Sequence, residues 1–409
     1  MFALDPLLVG DVGLAEVLIV LFKVVITFVF LMVAVMFMVW FERKVVADMQ
    51  NRIGPDRAGP WGLFQTLADG IKLFFKEDSV PERADPFVFR LAPYLSLVPA
   101  FLTFAVIPLG GNFGGGRHGV VSWFGEDTLF QLADPPVGIL LVLAMSSIGV
   151  YGIMLAGWSS GSKYPLLGSV RASAQVISYE AALGLSLASV LLFSGSLSTN
   201  EIVSVQAGEG FGGLLPNWNL IVTGFVPFVI FLIAGTAELN RPPFDLVEAE
   251  QELVGGFHTE YSSIKFALFF LAEFMNTVTM SAIIVTLFLG GPAGPSLFGP
   301  DFIWPVFWFF LKLFVFLFTF VWFRATLPRL RYDQLMDLGW KLLIPLALVW
   351  FLVLSGIRVA QDGNLGIVDD SSGNVAIVVI GAMVIGAGAY ALITSAVLTA
   401  RRARQVEEV

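Results

Sequence analysis

The sequence contains no cysteine and only two histidines, His118 and His258. These absences exclude disulfides, cysteine-ligated iron–sulfur clusters and histidine-rich metal centres, because such sites need thiolates or several imidazoles. Charge is also scarce, since Asp, Glu, Lys and Arg make up 13% of the 409 residues, against about 25% in an ordinary soluble domain. The chain has too little charge to cover a soluble surface, and we expect any redox metal used with it to lie on another protein.

Long hydrophobic runs occupy most of the sequence, which is 57% hydrophobic with a mean hydropathy of +0.83. A membrane-crossing helix needs about 20 mainly apolar residues. The segments that meet this length are 18–40, 87–109, 136–158, 172–194, 218–237, 262–289, 302–323, 342–357 and 375–400. The charges within or at the ends of these runs are Lys23, Arg90, Glu180, Lys265, Glu273 and Lys312. We therefore predict an all-α polytopic membrane protein.

Basic residues predict the orientation of these spans. The predicted inner segments are the loops 41–90, 159–171, 238–261 and 324–341 and the tail 401–409. They hold 18 Lys and Arg, whereas the predicted outer segments hold two. Because Lys and Arg accumulate on the cytoplasmic side, we place the N-terminus outside and the C-terminus inside a bacterial plasma membrane. The outer segments carry twelve acids, so the net charge of −9 is an outer-face property, and no nucleic-acid partner is predicted.

The first inner loop contains an amphipathic pattern after Pro60. Phe64, Leu67, Ile71 and Phe74 recur at helical spacing, with polar residues on the remaining positions. This pattern predicts a helix lying at the membrane surface. The helix could serve as an interfacial anchor or as the wall of a cavity that admits an apolar ligand from the lipid.

The third inner loop, 238–261, is unusually acidic. Its acids are Glu238, Asp245, Glu248, Glu250, Glu252 and Glu260, against one basic residue, Arg241. If Phe244–Leu253 is helical, three of these acids share one face, and crowded carboxylates hold protons with coupled, raised pKa values. A solvated acidic loop or a docking surface for a basic partner is the alternative.

Two further carboxylates lie inside predicted spans, Glu180 and Glu273. A carboxylate in a span is costly, so a functional site is the default hypothesis for both. Ser178 and Tyr179 flank Glu180 and are candidate hydrogen-bond donors to it. Lys23 is expected to extend to the outer interface, whereas Lys312 lies near the middle of its span.

Several motifs together resemble one known family. They are Phe41–Lys44, Arg52–Pro55, Gly59–Pro60, Ala68–Lys72, Leu155–Trp158, Ser162–Tyr164, Ser178–Glu180, Ala237–Leu246 with Glu248, Glu250, Glu252 and Glu260, and Pro328–Met336. In this order they resemble the H-type subunit of the proton-pumping NADH:quinone oxidoreductases (respiratory complex I), the bacterial counterpart of mitochondrial NADH dehydrogenase subunit 1. The resemblance covers roughly residues 40–345.

The resemblance implies an architecture of eight spans within residues 1–357. An outer linker, 358–374, an additional C-terminal membrane helix, 375–400, and a basic tail, 401–409, would follow this core. One departure concerns the span 136–158, which has Ser146 and Ser147 where some relatives carry an acid. The implied polar path would then cross this gap through water.

The resemblance also implies a function without a redox centre on this chain. The subunit would form the access tunnel for a lipid quinone, ubiquinone or menaquinone, together with peripheral-arm subunits that carry the NADH, FMN and iron–sulfur chemistry. Glu42, Arg43, Arg52 and Asp69 would line or support the quinone chamber. The residues that would couple quinone reduction to proton movement in antiporter-like subunits are Glu180, Glu238, Arg241, Asp245, Glu248, Glu250, Glu252, Glu260 and Glu273.

Three alternatives remain open from the sequence. The equivalent membrane subunit of a membrane-bound hydrogenase or formate hydrogenlyase would share ancestry but not the quinone. An independent secondary transporter would use Glu180, Glu273 and Lys312 as a relay, although we find no inverted repeat. A passive membrane anchor would need none of the buried acids.

Overall fold

The protein is described by a computed structural model covering residues 5–8, 13–113, 118–123, 125–208, 217–246, 253–295 and 302–362, with parts of 376–390. The α-helices of the first half are α1 (Leu14–Met49), α2 (Gln65–Phe75), α3 (Pro86–Phe104), α4 (Gly138–Ser159), α5 (Lys163–Ser194) and α6 (Thr199–Gln206). Those of the second half are α7 (Asn219–Val222), α8 (Val226–Glu238), α9 (Ser263–Phe288), α10 (Ile303–Thr326), α11 (Tyr332–Asp337) and α12 (Ile344–Asp362). A π-helical segment, Leu338–Leu343, joins α11 to α12.

Seven described helical segments are long and apolar enough to cross a membrane: α1, α3, α4, α5, α9, α10 and the continuous stretch Tyr332–Gln361. The polytopic helical fold predicted from the sequence is therefore confirmed. Helix α9 is the most enclosed, with 72% of its most apolar window buried. It packs against α1, α3, α8 and α10, so charges on α9 face other helices of the bundle.

The predicted span at 218–237 is not one continuous helix. Gly224 and Phe225 both have positive φ, and they separate the four-residue α7 from α8. Pro227 follows in the first turn of α8, a position that suits proline better than a helix interior. The 13 residues of α8 span about 20 Å, less than the roughly 30 Å of a hydrocarbon core.

Several predicted boundaries were wrong because helices continue into the predicted loops. Helix α1 runs to Met49, and α5 begins at Lys163, so most of the predicted loop 159–171 is helical. Likewise, only five residues separate α10 from α11, within the predicted loop 324–341. Helix α12 extends to Asp362, inside the predicted outer linker. The predicted ninth span and the tail lie largely outside the described residues.

A small β-hairpin departs from the all-α prediction. Strands β1 (Val120–Trp123) and β2 (Glu126–Leu129) pair antiparallel, with Val120 opposite Leu129. The N-terminal segment lies beside β2, where Asp5 accepts hydrogen bonds from Thr128 and from the backbone N–H of Leu129. The hairpin lies in the predicted outer segment between α3 and α4, at the end of the bundle opposite the loop 238–261.

The amphipathic segment is helical, but α2 begins at Gln65 after a 3₁₀ turn, Pro60–Gly62. Phe64, Leu67, Ile71 and Phe74 are all exposed along one side. Their apolar surface has no cover within the described chain, which is consistent with contact to lipid or to a partner. The interfacial position of α2 stays a prediction.

Candidate functional site

Four charged side chains meet where α1, α8, α9 and α10 approach one another. Arg241, which is 1% exposed, lies between two carboxylates: it contacts Glu42 on α1, and its Nη2 is 3.4 Å from Oε1 of Glu273 on α9. Arg324, in the last turn of α10, binds the other oxygen of Glu42. We call these four residues the acid–arginine cluster. Its formal charges cancel, which offsets part of the cost of burying them.

Helix α9 also contacts the guanidinium of Arg241 through an aromatic ring, that of Phe274. The Cζ atom of Arg241 lies 4.5 Å from the centre of the Phe274 ring. A cation over an aromatic face is attracted to the ring, and the attraction strengthens when water is excluded. Arg241 is therefore fixed by Glu273 and Phe274, adjacent residues of one helix.

The backbone after α8 is held by helix α5. The Nε2 atom of Gln175, a fully buried residue, lies 2.7 Å from the carbonyl oxygen of Ala237 and 2.9 Å from that of Phe244. Its amide thus connects the two sides of the turn that carries Arg241. Gln175 was missed in the sequence, because a lone Gln in an apolar run gives no indication of its partners.

Asp245 follows this turn and is buried, with its Oδ2 2.9 Å from Nη2 of Arg329. The segment 244–246 is not helical, so the condition under which Asp245 would share a helical face with other acids of the loop is not met at Asp245. Asp245 pairs instead with Arg329, in the segment between α10 and α11. Glu248, Glu250 and Glu252 lie outside the described residues.

Two neighbouring serines of α4 reach two different carboxylates. The Ser146 hydroxyl donates to Glu238 at the end of α8, and the Ser147 hydroxyl donates to Glu180 on α5. The predicted donors to Glu180 were wrong: Ser178 donates to the carbonyl of Ala174, and Tyr179 to that of Leu335, 2.8 Å away. The span 136–158, which carries no acid of its own, thus contributes two hydroxyls that bind carboxylates of neighbouring helices.

A cavity lies between α3, α4, α5, α8 and α9, and the acids line its inner part. It offers about 130 Å³ to water centres, enough for several molecules, since one water needs about 10–15 Å³. Glu238, Glu273, Asn240, Asn276 and Ser146 border it on the side of the loop 238–261. The cavity can therefore place water between the carboxylate of α8 and the carboxylate of α9.

His258 borders the same cavity from the 3₁₀ turn Gly256–His258. Its ring packs edge-on against Phe257 and Phe266, with centroids 5.0 and 5.4 Å away. Burial lowers the pKa of His258 to about 4, although the charge of Asp245 opposes this shift. The imidazole is thus neutral at pH 7 and carries both a donor and an acceptor nitrogen.

A second polar contact joins α2 to α1. Nη1 of Arg43 lies 2.7 Å from Oδ2 of Asp69, and Lys72 and Gln65 also approach this carboxylate. Burial alone would raise the pKa of Asp69, but the hydrogen bond and charge of Arg43, the charge of Lys72 and the hydrogen bond of Gln65 together lower it below its ordinary value. Asp69 is therefore ionised at neutral pH and ties α2 to α1.

The predicted site residues thus fall into separate groups. Glu42, assigned to the quinone chamber, pairs instead with Arg241 of the acidic loop, while Arg43 and Asp69 pair with each other. Arg52 is exposed and donates to Gln50, and Glu260 joins neither group within the described chain. Arg324 was missed because positive-inside topology already accounted for its charge.

The buried lysines have local partners. The Nζ atom of Lys23 reaches two residues of the predicted outer segments: it is buried, 2.6 Å from Asp5 and 2.8 Å from Thr128. Lys312 donates to the carbonyls of Leu289, Gly291 and Ala293 at 2.8–2.9 Å. Lys312 therefore stabilises the turn after α9, which argues against the relay that the transporter alternative needs.

Comparison with known proteins identifies the family. The sequence model of the NADH dehydrogenase family matches residues 22–355, which include every described member of the acid–arginine cluster. The chain belongs to the NADH dehydrogenase family. It is 56% identical over 346 residues to the H-type NADH-quinone oxidoreductase subunit of Frankia alni, covering 84% of this chain and 73% of the relative. The Frankia casuarinae protein of the same name gives the same figures.

A further relative is the H-type NADH-quinone oxidoreductase subunit of Streptomyces avermitilis. It is 51% identical over 356 residues, covering 86% of this chain and 75% of the relative. The resemblance to the H-type subunit that the sequence motifs indicated is therefore confirmed. Within this NADH dehydrogenase family member, Glu42, Arg241, Glu273 and Arg324 meet in the acid–arginine cluster.

Proposed function

We propose that this chain is a membrane subunit of NADH:quinone oxidoreductase that walls the quinone-access tunnel and couples quinone reduction to proton translocation. Its partners would be the peripheral-arm quinone-reducing and iron–sulfur subunits on the inner loops, and the small and antiporter-like subunits in the membrane. The lipid quinone is the substrate, and NADH, FMN and the iron–sulfur clusters belong to the partners. The family and the names of the relatives support this assignment over a hydrogenase subunit.

The observation that carries the coupling role is the shared arginine. Arg241 touches Glu42, which lies seven residues before the end of α1 and next to the Arg43–Asp69 pair that holds α2. It also contacts Glu273, which borders the cavity described above. A charge change near α1 and α2 would thus alter the balance of the cluster and the proton affinity of the cavity carboxylates.

Quinone reduction takes up two electrons and two protons, so protons drawn from neighbouring side chains would supply such a charge change. The apolar side of α2 offers a surface along which an isoprenoid tail can lie, while Arg43 and Asp69 are near its polar side. Within the helix bundle the carboxylates Glu238 and Glu180 are bound by Ser146 and Ser147. Water in the cavity would connect Glu238 with Glu273, and the serines would bring Glu180 close to the same path.

The test uses Asp245, buried against Arg329. In membranes with a fully assembled complex, Asp245→Ala should lower quinone-dependent NADH oxidation, while NADH oxidation with an artificial acceptor persists. Asp337→Asn is the matched control, because Asp337 is 61% exposed and pairs with Lys341 on its own helical stretch. Normal quinone-dependent turnover and proton pumping in the assembled Asp245→Ala complex would contradict the coupling role.

A further inference from the structure

The cavity continues beyond the acids into an arm lined almost entirely by apolar residues. After Thr279, the α9 residues on the cavity are Met280, Ile283 and Leu287, near the helix end opposite the acidic loop. The facing residues from the other helices are Pro99, Ala100, Thr103, Ile139, Val142, Leu183, Leu187 and Phe231. We call this part the outer arm, and Thr279 to Leu287 gives it a length of about 12 Å.

Free hydrogen-bonding groups become fewer along the cavity from the acids towards the outer arm. Ser96 and Thr279 border its middle and are 8% and 2% exposed, and their hydroxyls find no hydrogen-bond partner among the described residues. Such groups are commonly satisfied by buried water. In the outer arm the remaining hydroxyl, that of Thr103, already donates to the carbonyl of Pro99 at 2.8 Å. Water is therefore favoured up to Thr279 and disfavoured beyond it.

A second buried acid lies just past the outer arm. The Ile139 N–H, at the arm's end, donates to the carbonyl of Leu197 at 3.0 Å. The next residue, Ser198, has its hydroxyl 2.8 Å from both carboxylate oxygens of Asp134, which is 6% exposed. Burial raises the pKa of Asp134 above its ordinary value. The outer arm thus separates the inner carboxylates from a carboxylate on the predicted outer side.

We propose that the outer arm is a dry apolar plug, formed chiefly by Ile139, Leu187 and Leu287, that keeps protons on the inner carboxylates from leaking to the outer face. A proton needs a chain of hydrogen-bonded waters, and a water needs two to four polar partners. Among the described residues that line the arm, the side-chain hydroxyl is that of Thr103, whose proton is already donated to Pro99, so a water there has fewer than two side-chain partners. The arm therefore excludes the chain by dewetting, as apolar constrictions do in channels. This inference rests on the proposed coupling function, because it assigns protons to the inner carboxylates.

The experiment measures passive proton leak in proteoliposomes containing the purified complex, with an imposed pH gradient and without NADH or quinone. Leu287→Asn should raise the leak roughly tenfold, because one added hydrogen bond to water favours hydration by about 1.4 kcal/mol. Leu187→Asn, on α5, is the second variant if the first fails to assemble. The matched control is Ile284→Asn, since Ile284 is fully buried on α9 but does not border the cavity.

Retained quinone-dependent NADH oxidation verifies that each variant is assembled. An unchanged leak in both assembled lining variants, or an equal rise in the assembled Ile284→Asn control, would overturn the plug. Failure of the coupling function is separately visible: a Glu238→Gln complex that pumps normally would contradict the proton path. That result does not depend on the passive leak, so the two failures are distinguishable.

Discussion

The two arginines that bind Glu42 should differ sharply in their importance. Arg241 is almost fully buried, whereas the Arg324 side chain is 37% exposed. Removing one partner of a buried ion pair costs about 3–5 kcal/mol, because an uncompensated charge stays behind. Losing an exposed partner costs about 0–1 kcal/mol. Arg241→Gln should therefore destabilise the protein several kcal/mol more than Arg324→Gln.

The assay is thermal inactivation of quinone-dependent NADH oxidation in membranes, normalised to NADH oxidation with an artificial acceptor. Arg241→Gln should shift inactivation to clearly lower temperature and reduce quinone-dependent turnover, whereas Arg324→Gln should remain close to the unmodified protein. The double variant Arg241→Gln with Glu42→Gln should recover part of the loss, because it removes one carboxylate left without its arginine. Similar inactivation of the two single arginine variants would refute the reasoning from burial.

Individual contacts give three further predictions. Ser147→Ala should lower quinone-dependent turnover and Ser147→Thr should retain it, since threonine keeps the hydroxyl that binds Glu180 and alanine removes it; equal turnover of the two variants would contradict a role for this hydroxyl. The pKa of His258 is lowered to about 4, so the unfolded chain binds a proton more readily than the folded one, and the associated stability should be lost as pH falls from about 6.5 towards about 4. Thermal unfolding against pH measures this, and His258→Gln should flatten the profile. Lys312→Met removes a charged donor from three carbonyls, so proteolysis of the turn after α9 should accelerate, with Lys341→Met, an exposed lysine, as control.

The sequence predicted the helical membrane fold because hydrophobic runs report directly on burial in lipid. The sequence was less informative where backbone conformation decides whether a helix continues. Gly224 and Phe225 have positive φ values that break the predicted span 218–237. Helix ends were also misplaced, because the helices α1 and α5 extend past the apolar run into polar residues that hydropathy assigns to loops.

The sequence named candidate acids and arginines but could not give their pairing. Arg241 and Glu42 are 199 residues apart, and Glu180 and Ser147 are 33 apart on different helices, so sequence spacing could not join them. The motifs indicated candidate acids, and packing decides which of them share a counter-charge. Lys23 shows the same limit, since its partner Asp5 and the hairpin residue Thr128 become neighbours only through the fold of the outer segments.

Adjacent serines on α4 have a mechanical consequence. Successive residues of an α-helix point about 100° apart, so Ser146 and Ser147 face α8 and α5 from the same turn. A twist of α4 about its own axis would move both hydroxyls together, withdrawing one from Glu238 as it displaces the other from Glu180. Such a rotation would therefore act on both carboxylates at once. Glu238 could not lose its serine donor by this motion while Glu180 kept its own.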